Sequence, residues 1–175
     1  LPANSTILDY GCGSGHIAEY LDCKKKNKII GLDISGESIK LAKQTFPAID
    51  FRVDNMLKSS FESNSIDGIC AFYAIVHFTY NEIQIALKEW LRILKPKGKL
   101  LFSFHIGNEH LDVENFLGIS GANASWNLFE VEEVYKIIKN LEFDIEEIIT
   151  RYPYENVEHN SHRCYIILEK NENIL

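Results

Sequence analysis

Apolar and amphipathic segments alternate along most of the chain. Short apolar runs predict buried strands within residues 6–10, 28–34, 49–54, 65–78 and 99–106. Segments with apolar side chains three and four positions apart predict helices over residues 14–23, 35–46, 81–99 and 130–143. This alternation is typical of a parallel sheet with helices on both faces, because each parallel strand needs a crossover connection to the next.

The C-terminal part departs from this alternation. Residues 107–127 lack a clear periodicity, and two strands, over residues 144–152 and 163–170, follow the last helix with only a polar segment between them. Strands joined without a crossover helix pair in antiparallel fashion. The pattern therefore predicts an α/β fold that closes with a hairpin at one edge of the sheet.

Polar residues and helix breakers locate the helix ends. Ser14 is a suitable N-cap for the first helix, and Asn81 is a suitable N-cap for the helix over residues 81–99. Pro96 and Gly98 are expected to stop that helix, so the next strand is placed after them.

Composition and charge narrow the classes of function. Hydrophobic residues make up 46% and charged residues 25% of the chain, as in ordinary globular domains. The net charge of −7 argues against a nucleic-acid partner, and the basic run over residues 24–28 is interpreted as a solvated loop. No apolar run reaches the ~20 residues that span a bilayer, and no signal peptide is visible. We therefore expect a cytoplasmic protein with no membrane contact and with reduced, mostly buried cysteines.

A glycine-rich turn follows the first strand in the segment LDYGCGSG. Gly11, Gly13 and Gly15 permit positive φ angles and close approach to a ligand, and the helix start behind them offers unpaired N–H groups. A dinucleotide-binding turn has the spacing G-x-G-x-x-G, and His16 stands here where its third glycine would be. Asp33, at the end of the second strand, can accept hydrogen bonds from two ribose hydroxyls. The turn therefore predicts a ribose-bearing cofactor that is not clearly a dinucleotide.

Several segments together resemble the class I S-adenosylmethionine-dependent methyltransferases. LDYGCGSG is similar to the first motif of that family, IIGLDIS to the second, VDNM to the third and SIDGICAFYAIVHF to the fourth. LKEWLRILKPKGKLLFS resembles the helix and strand that follow the site, and RYPYENVEHNSHRCYIIL resembles the tail of some small bacterial members. The resemblance covers nearly the whole chain. It implies one domain over residues 1–175, without the family's N-terminal lid helix. The implied fold is a Rossmann-like, doubly wound, seven-stranded sheet, mostly parallel with an antiparallel C-terminal edge hairpin.

The same resemblance implies S-adenosylmethionine as cofactor. Asp9 and the glycine turn would hold the methionyl part, Asp33 the ribose and Asp54 the adenine amino group, and the end of the fourth strand would border the methyl group. The implied cofactor-binding residues are Asp9, Gly11, Cys12, Gly13, Gly15, Asp33, Ile34, Asp54, Asn55, Met56, Phe72 and Tyr73. The candidate catalytic, substrate-facing residues are His77 and His105. A helix-start or loop role for His77, and a hydrogen bond to a backbone carbonyl for His105, stay open as alternatives.

The acceptor is expected to be a small molecule. The fourth motif reads DGICAFYAIVH, not the DPPY or NPPF of methyltransferases that act on nucleic-acid bases or glutamine, and the acidic charge agrees. Phe116 and Trp126 either wall an apolar pocket or fix their segment to the core. His159, His162 and Glu158 have a spacing that permits a metal site, but solvated side chains are the favoured interpretation and no metal is expected. A monomer or homodimer is expected.

Two other functions stay open. A nicotinamide-dependent reductase is disfavoured by His16, and the Tyr-x-x-x-Lys spacing found here, from Tyr135 to Lys139, lies far from the glycine turn. A non-catalytic interaction module is disfavoured by the intact set of Asp9, the three glycines of the turn and Asp33. The three hypotheses differ in the ligand that they require.

Overall fold

The computed structural model describes residues 1–24, 26–114, 120–121 and 123–172. Its strands are β1 (Thr6–Tyr10), β2 (Lys28–Asp33), β3 (Asp50–Val53), β4 (Ile66–Phe72), β5 (Leu94–His105), β6 (His110–Val113), β7 (Ala124–Asn127), β8 (Phe143–Arg151) and β9 (Arg163–Lys170). Its helices are α1 (His16–Asp22), α2 (Gly36–Thr45), α3 (Tyr80–Ile93) and α4 (Val131–Lys139). Within these described residues, no helix is both long and apolar enough to cross a membrane.

Most of the strands form one seven-stranded sheet in the order β3-β2-β1-β4-β5-β9-β8. β9 runs antiparallel to both of its neighbours, and the other pairs are parallel. This arrangement confirms the predicted sheet with an antiparallel pair at its C-terminal edge. The strand order reverses between β1 and β4, and in such sheets the crevice beyond the carboxyl ends at this point receives the ligand.

Helices cover both faces of the sheet. On one face, buried side chains of α3 and α4 join a large core that includes the fully buried Tyr10, Trp90 and Phe102. On the other face, α1 and α2 cover a smaller cluster around Phe51. Removal of this apolar surface from water is the main favourable term in folding, so both layers hold the sheet that carries the site.

Two helices begin at other residues than the sequence pattern predicts. α1 is preceded by Gly15 in the left-handed conformation, with a φ of 91°, and Ser14 is not its cap. α3 is capped by Thr79, whose hydroxyl accepts the backbone N–H of Glu82 while the Glu82 carboxylate accepts the backbone N–H of Thr79. This reciprocal pair is a capping box, and it displaces Asn81 from the predicted cap position.

α3 also ends before Pro96 and Gly98, so the prediction of a helix to residue 99 is wrong. The helix stops at Ile93, and β5 begins directly at Leu94, which pairs with Ile66 of β4. Pairing with a distant strand overrides the local helical periodicity here.

Residues 107–127 contain a second, two-stranded sheet, although the sequence there has no clear periodicity. β6 pairs antiparallel with β7. The backbone N–H of Asn127 donates to the carbonyl oxygen of Val76 over 2.7 Å, so this hairpin is fixed to the segment after β4. Trp126 is buried in it, whereas Phe116 lies outside the described residues.

The cysteines have the predicted form. All four are free thiols, and Cys12, Cys70 and Cys164 are buried while Cys23 is exposed. Burial raises the pKa of each of the three buried thiols, which keeps them protonated and poorly reactive.

Candidate active site

The glycine turn closes tightly on the chain around it. Gly11 has a φ of +70°, and a Cβ at this position would lie 2.6 Å from the Cβ of Ala74, just after β4. Gly15 has a φ of +91°, and a Cβ there would lie 2.7 Å from Cζ of Phe51. Both positions require glycine, because other residues disfavour positive φ and because no space is left for a methyl group.

Asp33 joins the glycine turn to the start of α2. Its Oδ2 accepts the backbone N–H of Gly13 over 2.9 Å, and its Oδ1 accepts the backbone N–H of Ser35 over 2.8 Å. A carboxylate oxygen can accept two hydrogen bonds, so each oxygen keeps capacity for one more donor. The carboxylate is therefore suited to two adjacent hydroxyl groups, as its predicted ribose-binding role requires.

A cavity of about 540 Å³ is lined by residues that follow β1, β2, β3 and β4. Its volume lies within the range of small-molecule sites, ~300–1,000 Å³. The predicted site residues on its wall are Gly11, Asp33, Ile34, Asp54, Asn55, Met56, Tyr73 and His77. The fold thus brings parts of all four predicted motifs together at one opening.

Asp54 is held by three donors at the cavity wall. Its Oδ1 accepts the hydroxyl of Tyr10 over 3.2 Å, and its Oδ2 accepts both the backbone N–H and the hydroxyl of Ser60. These bonds occupy the capacity of Oδ2 and half that of Oδ1. Asp54 can therefore accept one further hydrogen bond from a ligand, through Oδ1.

Several predicted cofactor residues support the cavity wall and do not line it. Gly13 and Gly15 shape the turn, and Cys12 is only 8% exposed within the cluster under α1 and α2. The ring of Phe72 packs edge-on against Tyr165 with 6.2 Å between the ring centroids. Phe72 is the last residue of β4, and its ring thus contributes to the packing between β4 and β9.

Asp9 also lies behind the wall, and it keeps an unpaired carboxylate oxygen. The residue is 1% exposed, and its Oδ2 has no hydrogen-bond partner among the described residues. Burial raises the pKa of the carboxyl to about 7, opposed by the backbone N–H of Ala18 and increased by the negative charge of Asp33. A buried oxygen without a donor is costly, so this position is suited to a ligand that brings an N–H or O–H group.

Tyr73 follows β4 in a strained backbone conformation. Its φ is +51°, which is rare for a bulky residue, and its backbone N–H donates to Oγ of Ser103 over 3.1 Å. Its ring stacks on His105 with 4.8 Å between the centroids and an angle of 24° between the planes. Strain of this kind clusters at active sites, where the surrounding contacts maintain it.

His105 contacts the cavity wall through Tyr73 and does not itself line the cavity. Its Nδ1 lies 2.8 Å from Oγ of Ser161, so a side-chain hydroxyl takes the place of the backbone carbonyl considered from the sequence. Burial, followed by the positive charge of Arg163, lowers the pKa of His105 to about 4. The imidazole is therefore neutral at pH 7 and only weakly basic.

His77 is exposed on the cavity wall, in the loop that leads to α3. His77 is thus a loop residue, as one alternative from the sequence had it, and it also has the access to the cavity that a substrate-facing role requires.

The sequence reasoning missed other residues of the wall, namely Ser38, Leu57, Ala74, Phe78 and Glu82. The available signal for Glu82 was its capping-box spacing from Thr79, which fixes its carboxylate in the first turn of α3.

The C-terminal residues considered for a metal are engaged elsewhere. Both oxygens of Glu158 accept hydrogen bonds of 2.7 Å from Arg151, and this pairing lowers the pKa of Glu158 to about 2. The ring of His162 packs against Tyr152 with 4.2 Å between the centroids. Glu158 therefore serves as an anchor for Arg151.

A protein-family model described as a methyltransferase domain matches residues 7–98. The matched range contains the glycine turn, Asp33, Asp54 and Tyr73. This chain belongs to the class I S-adenosylmethionine-dependent methyltransferases. The predicted family and its cofactor are thereby confirmed, and the match gives the nicotinamide-dependent alternative no support.

Individual relatives agree with this methyltransferase family. An uncharacterized methyltransferase of Schizosaccharomyces pombe is 36% identical over 102 residues, which are 58% of this chain and 39% of that protein. An S-adenosyl-L-methionine-dependent Diels-Alderase of Talaromyces variabilis is 34% identical over 107 residues, which are 57% of this chain and 36% of that protein. The chain thus spans well under half the length of these curated relatives.

A crystal structure of a methyltransferase from Methanosarcina mazei has the same fold. The two superpose with a TM-score of 0.84 and 21% identity, over 98% of this chain and 94% of the other. At this identity the likeness shows the fold alone.

The residues of this candidate site fit S-adenosylmethionine. The unpaired Oδ2 of Asp9 lies beside the turn that the family uses for the methionyl part, whose ammonium group is a suitable donor. Asp33 has two free acceptor positions for a ribose, and Asp54 has one for an amino group.

Proposed function

We propose that this protein transfers the methyl group of S-adenosylmethionine to a small-molecule acceptor and releases S-adenosylhomocysteine. The observation that carries the proposal is the cavity of about 540 Å³, whose wall joins the turn at Gly11 and the Asp33 carboxylate to Tyr73. One side of this cavity offers acceptors for a ribose-bearing cofactor. The other side carries a strained tyrosine with His105 stacked behind it. A cofactor and a small acceptor can meet between the two.

The chain's own residues bind and orient the cofactor. Asp33 accepts the ribose hydroxyls, and Asp54 accepts one hydrogen of the adenine amino group beside Asn55 and Met56. The turn around Gly11, together with Asp9 below it, receives the methionyl part. Each of these assignments uses an acceptor or a space that the rest of the chain leaves open.

When bound, the cofactor supplies a methyl group on a positively charged sulfur, which is a good leaving group for in-line displacement. The protein therefore contributes mainly by holding the acceptor atom in line and by excluding water. A general base is needed only where the acceptor atom must lose a proton. His77, on the cavity wall, is the first candidate for that role. His105, the second, is only weakly basic and contacts the wall through Tyr73.

Charge supports a small acceptor over a nucleic acid. The chain has a net charge of −7, and the carboxylates of Asp33, Asp54 and Glu82 lie on the cavity wall. A nucleic acid needs a basic footprint for its phosphates, and this opening has the opposite charge. A monomer or homodimer without nucleic-acid or membrane partners completes the proposal.

A pericyclic reaction without methyl transfer is the second candidate. It is favoured by the relative from Talaromyces variabilis whose name describes a Diels-Alderase that depends on S-adenosyl-L-methionine. Formation of S-adenosylhomocysteine during turnover separates the two functions, because only methyl transfer consumes the cofactor.

Calorimetric titration with S-adenosylhomocysteine, and with NADH in parallel, is the first test. We expect the wild type to bind only the former, and we expect Asp33→Ala to lose at least about tenfold in affinity, since it removes hydrogen bonds to a charged acceptor. Asp144→Ala, at an exposed position on β8, is the matched control. Binding of NADH alone would contradict the proposal, and binding of neither ligand would favour a non-catalytic interaction module.

A further inference from the structure

A chain of hydrogen bonds leads from the cavity wall into the C-terminal strands. The hydroxyl groups of Tyr73 and Tyr165 lie 2.7 Å apart. Nη2 of Arg151 donates to the Tyr165 hydroxyl oxygen over 2.9 Å. Glu158 holds Arg151 from the other side with two hydrogen bonds of 2.7 Å. A cavity residue is thus connected to a guanidinium through one intervening phenol.

The guanidinium of Arg151 influences which groups donate and which accept along this series of hydrogen bonds. Arg151 can only donate, so the Tyr165 oxygen accepts from it and the Tyr165 proton is directed elsewhere. Either hydroxyl of this pair can donate to the other, and in the arrangement in which Tyr165 donates, its acceptor is the Tyr73 oxygen 2.7 Å away. Tyr73 then keeps its own proton for a group outside this series of hydrogen bonds. Each bond in the series strengthens the next because the donors polarise one another.

Tyr73 stays protonated in these surroundings. Burial raises the pKa of its hydroxyl, against a smaller lowering by the positive charges of Arg163 and Arg151. The hydroxyl is therefore a donor at neutral pH, with two positive charges behind it.

These two guanidiniums share one carboxylate. Nε of Arg163 lies 3.4 Å from Glu158, and its Nη atoms donate to the backbone carbonyls of Ser161 and His159 over 2.6 and 3.1 Å. Arg163 is 3% exposed, so its charge is poorly screened by water. Arg151, Arg163 and Glu158 together leave one formal positive charge behind Tyr73. This charge contrasts with the acidic chain as a whole and with the carboxylates on the cofactor side of the cavity.

Several rings cluster around Tyr73. His105 stacks on Tyr73, and Trp126 lies 6.2 Å from His105 and 5.3 Å from His159 between ring centroids. A ligand that meets the Tyr73 hydroxyl therefore lies beside an aromatic surface, which favours a planar or apolar body.

We propose that the methyl acceptor is a small molecule with a carboxylate on an apolar body, and that the Tyr73 hydroxyl, polarised by Arg151 through Tyr165, binds this carboxylate. The inference rests on the proposed methyl transfer and names the class of its acceptor. Tyr165 and Arg151 act here as positioning residues, because they reach the acceptor only through Tyr73.

The test compares benzoate with benzamide, which has a similar shape and no charge, on protein saturated with S-adenosylhomocysteine. Calorimetry is expected to show about tenfold tighter binding of benzoate to the wild type, the usual scale of a hydrogen bond to a charged group. Tyr73→Phe and Tyr165→Phe keep the rings and remove single hydroxyls, and both are expected to lose most of this preference. Tyr154→Phe is the matched control. The ring of Tyr154 also packs on Arg151, but its hydroxyl takes no part in the hydrogen bonds that link Tyr73, Tyr165 and Arg151.

Three results would overturn the inference. The first is equal binding of benzoate and benzamide, or binding of neither, by wild-type protein that does bind S-adenosylhomocysteine. The second is an unchanged preference in Tyr165→Phe. The third is a loss of S-adenosylhomocysteine affinity in Tyr165→Phe with no change for benzoate, which would assign the positive charge to the cofactor's own carboxylate. Failure of the wild type to bind S-adenosylhomocysteine would instead contradict the proposed function, and the same comparison on the cofactor-free protein would then decide about the carboxylate site.

Discussion

The ammonium group of Lys170 donates a hydrogen bond of 2.7 Å to the carbonyl oxygen of Leu94, where α3 passes directly into β5. It also donates over 2.7 Å to the carbonyl oxygen of Leu91 and to Oδ1 of Asn64. Lys170 is only 5% exposed, and burial lowers its pKa. The last strand of the chain thus supplies the donor that satisfies the end of a helix far away in sequence.

Lys170→Met is expected to destabilise the protein by about 2–4 kcal/mol, because it leaves three buried acceptors without a donor. Urea denaturation followed by far-ultraviolet circular dichroism measures this free energy of unfolding. Lys88→Met, at an exposed position of α3, is the matched control and is expected to change stability by less than about 0.5 kcal/mol. A loss of less than about 1 kcal/mol for Lys170→Met would show that these bonds matter little.

Asp9→Asn is expected to change how stability depends on pH. Burial raises the pKa of Asp9 to about 7 from its ordinary value of 3.8, so between these values the folded state holds a proton there that the unfolded state has released. The stabilisation from this proton is fully present below about pH 4 and is lost as the pH rises through about 7.

Thermal unfolding between pH 4 and pH 8 tests this sign. The wild type is expected to lose on the order of 4 kcal/mol relative to Asp9→Asn across the range, because the neutral amide cannot ionise. Asp144→Asn serves as the control, since Asp144 is exposed. If Asp9→Asn and the wild type keep a constant difference in stability, Asp9 does not have a raised pKa.

Features that depend on local sequence were predictable, and features that depend on distant partners were not. The individual strands of the large sheet and the turn at Gly11 follow from apolar runs and from glycine spacing, which act within a few residues. The family resemblance implied their number in one sheet. The start of β5 at Leu94 depends on Ile66 and Lys170, and no local pattern contains them.

In the candidate site, too, features set by nearby residues were predictable and contacts between distant residues were not. Asp33 was predicted to lie at the site because it ends the second strand beside the glycine turn, and it does lie on the cavity wall. The stack of Tyr73 on His105, and the route from Tyr73 to Arg151, join strands that lie far apart in the chain. The predicted roles of Cys12 and Phe72 came from motif position, which does not say which way a side chain faces.

Gly11→Ala is expected to destabilise the protein by more than about 2 kcal/mol and to abolish cofactor binding, because overpacking adds to the cost of a positive φ. The added Cβ would lie 2.6 Å from that of Ala74. Gly13→Ala is the matched comparison, since Gly13 also has a positive φ but nothing within 4 Å of an added Cβ. Its expected cost is about 1 kcal/mol.

The double variant Gly11→Ala with Ala74→Gly separates the clash from the backbone strain. Removal of the Ala74 methyl group is expected to restore part of the stability lost in Gly11→Ala, as judged by urea denaturation. If the double variant is no more stable than Gly11→Ala, the contact between the turn and the segment after β4 is not the cause of the lost stability.

Thr79→Val is expected to destabilise the protein by about 1 kcal/mol, the usual effect of losing an N-cap. Valine keeps the shape of threonine but removes the hydroxyl that accepts the backbone N–H of Glu82 over 3.3 Å. It also removes a hydrogen bond of 2.8 Å to the Glu82 carboxylate, which lies on the cavity wall. Asn81→Ala, at the position that the sequence alone favours as the cap, is the matched control, and we expect it to change stability by less than about 0.5 kcal/mol. A larger effect for Asn81→Ala than for Thr79→Val, measured by urea denaturation, would return the cap to Asn81 and would remove the support for Glu82 at the cavity wall.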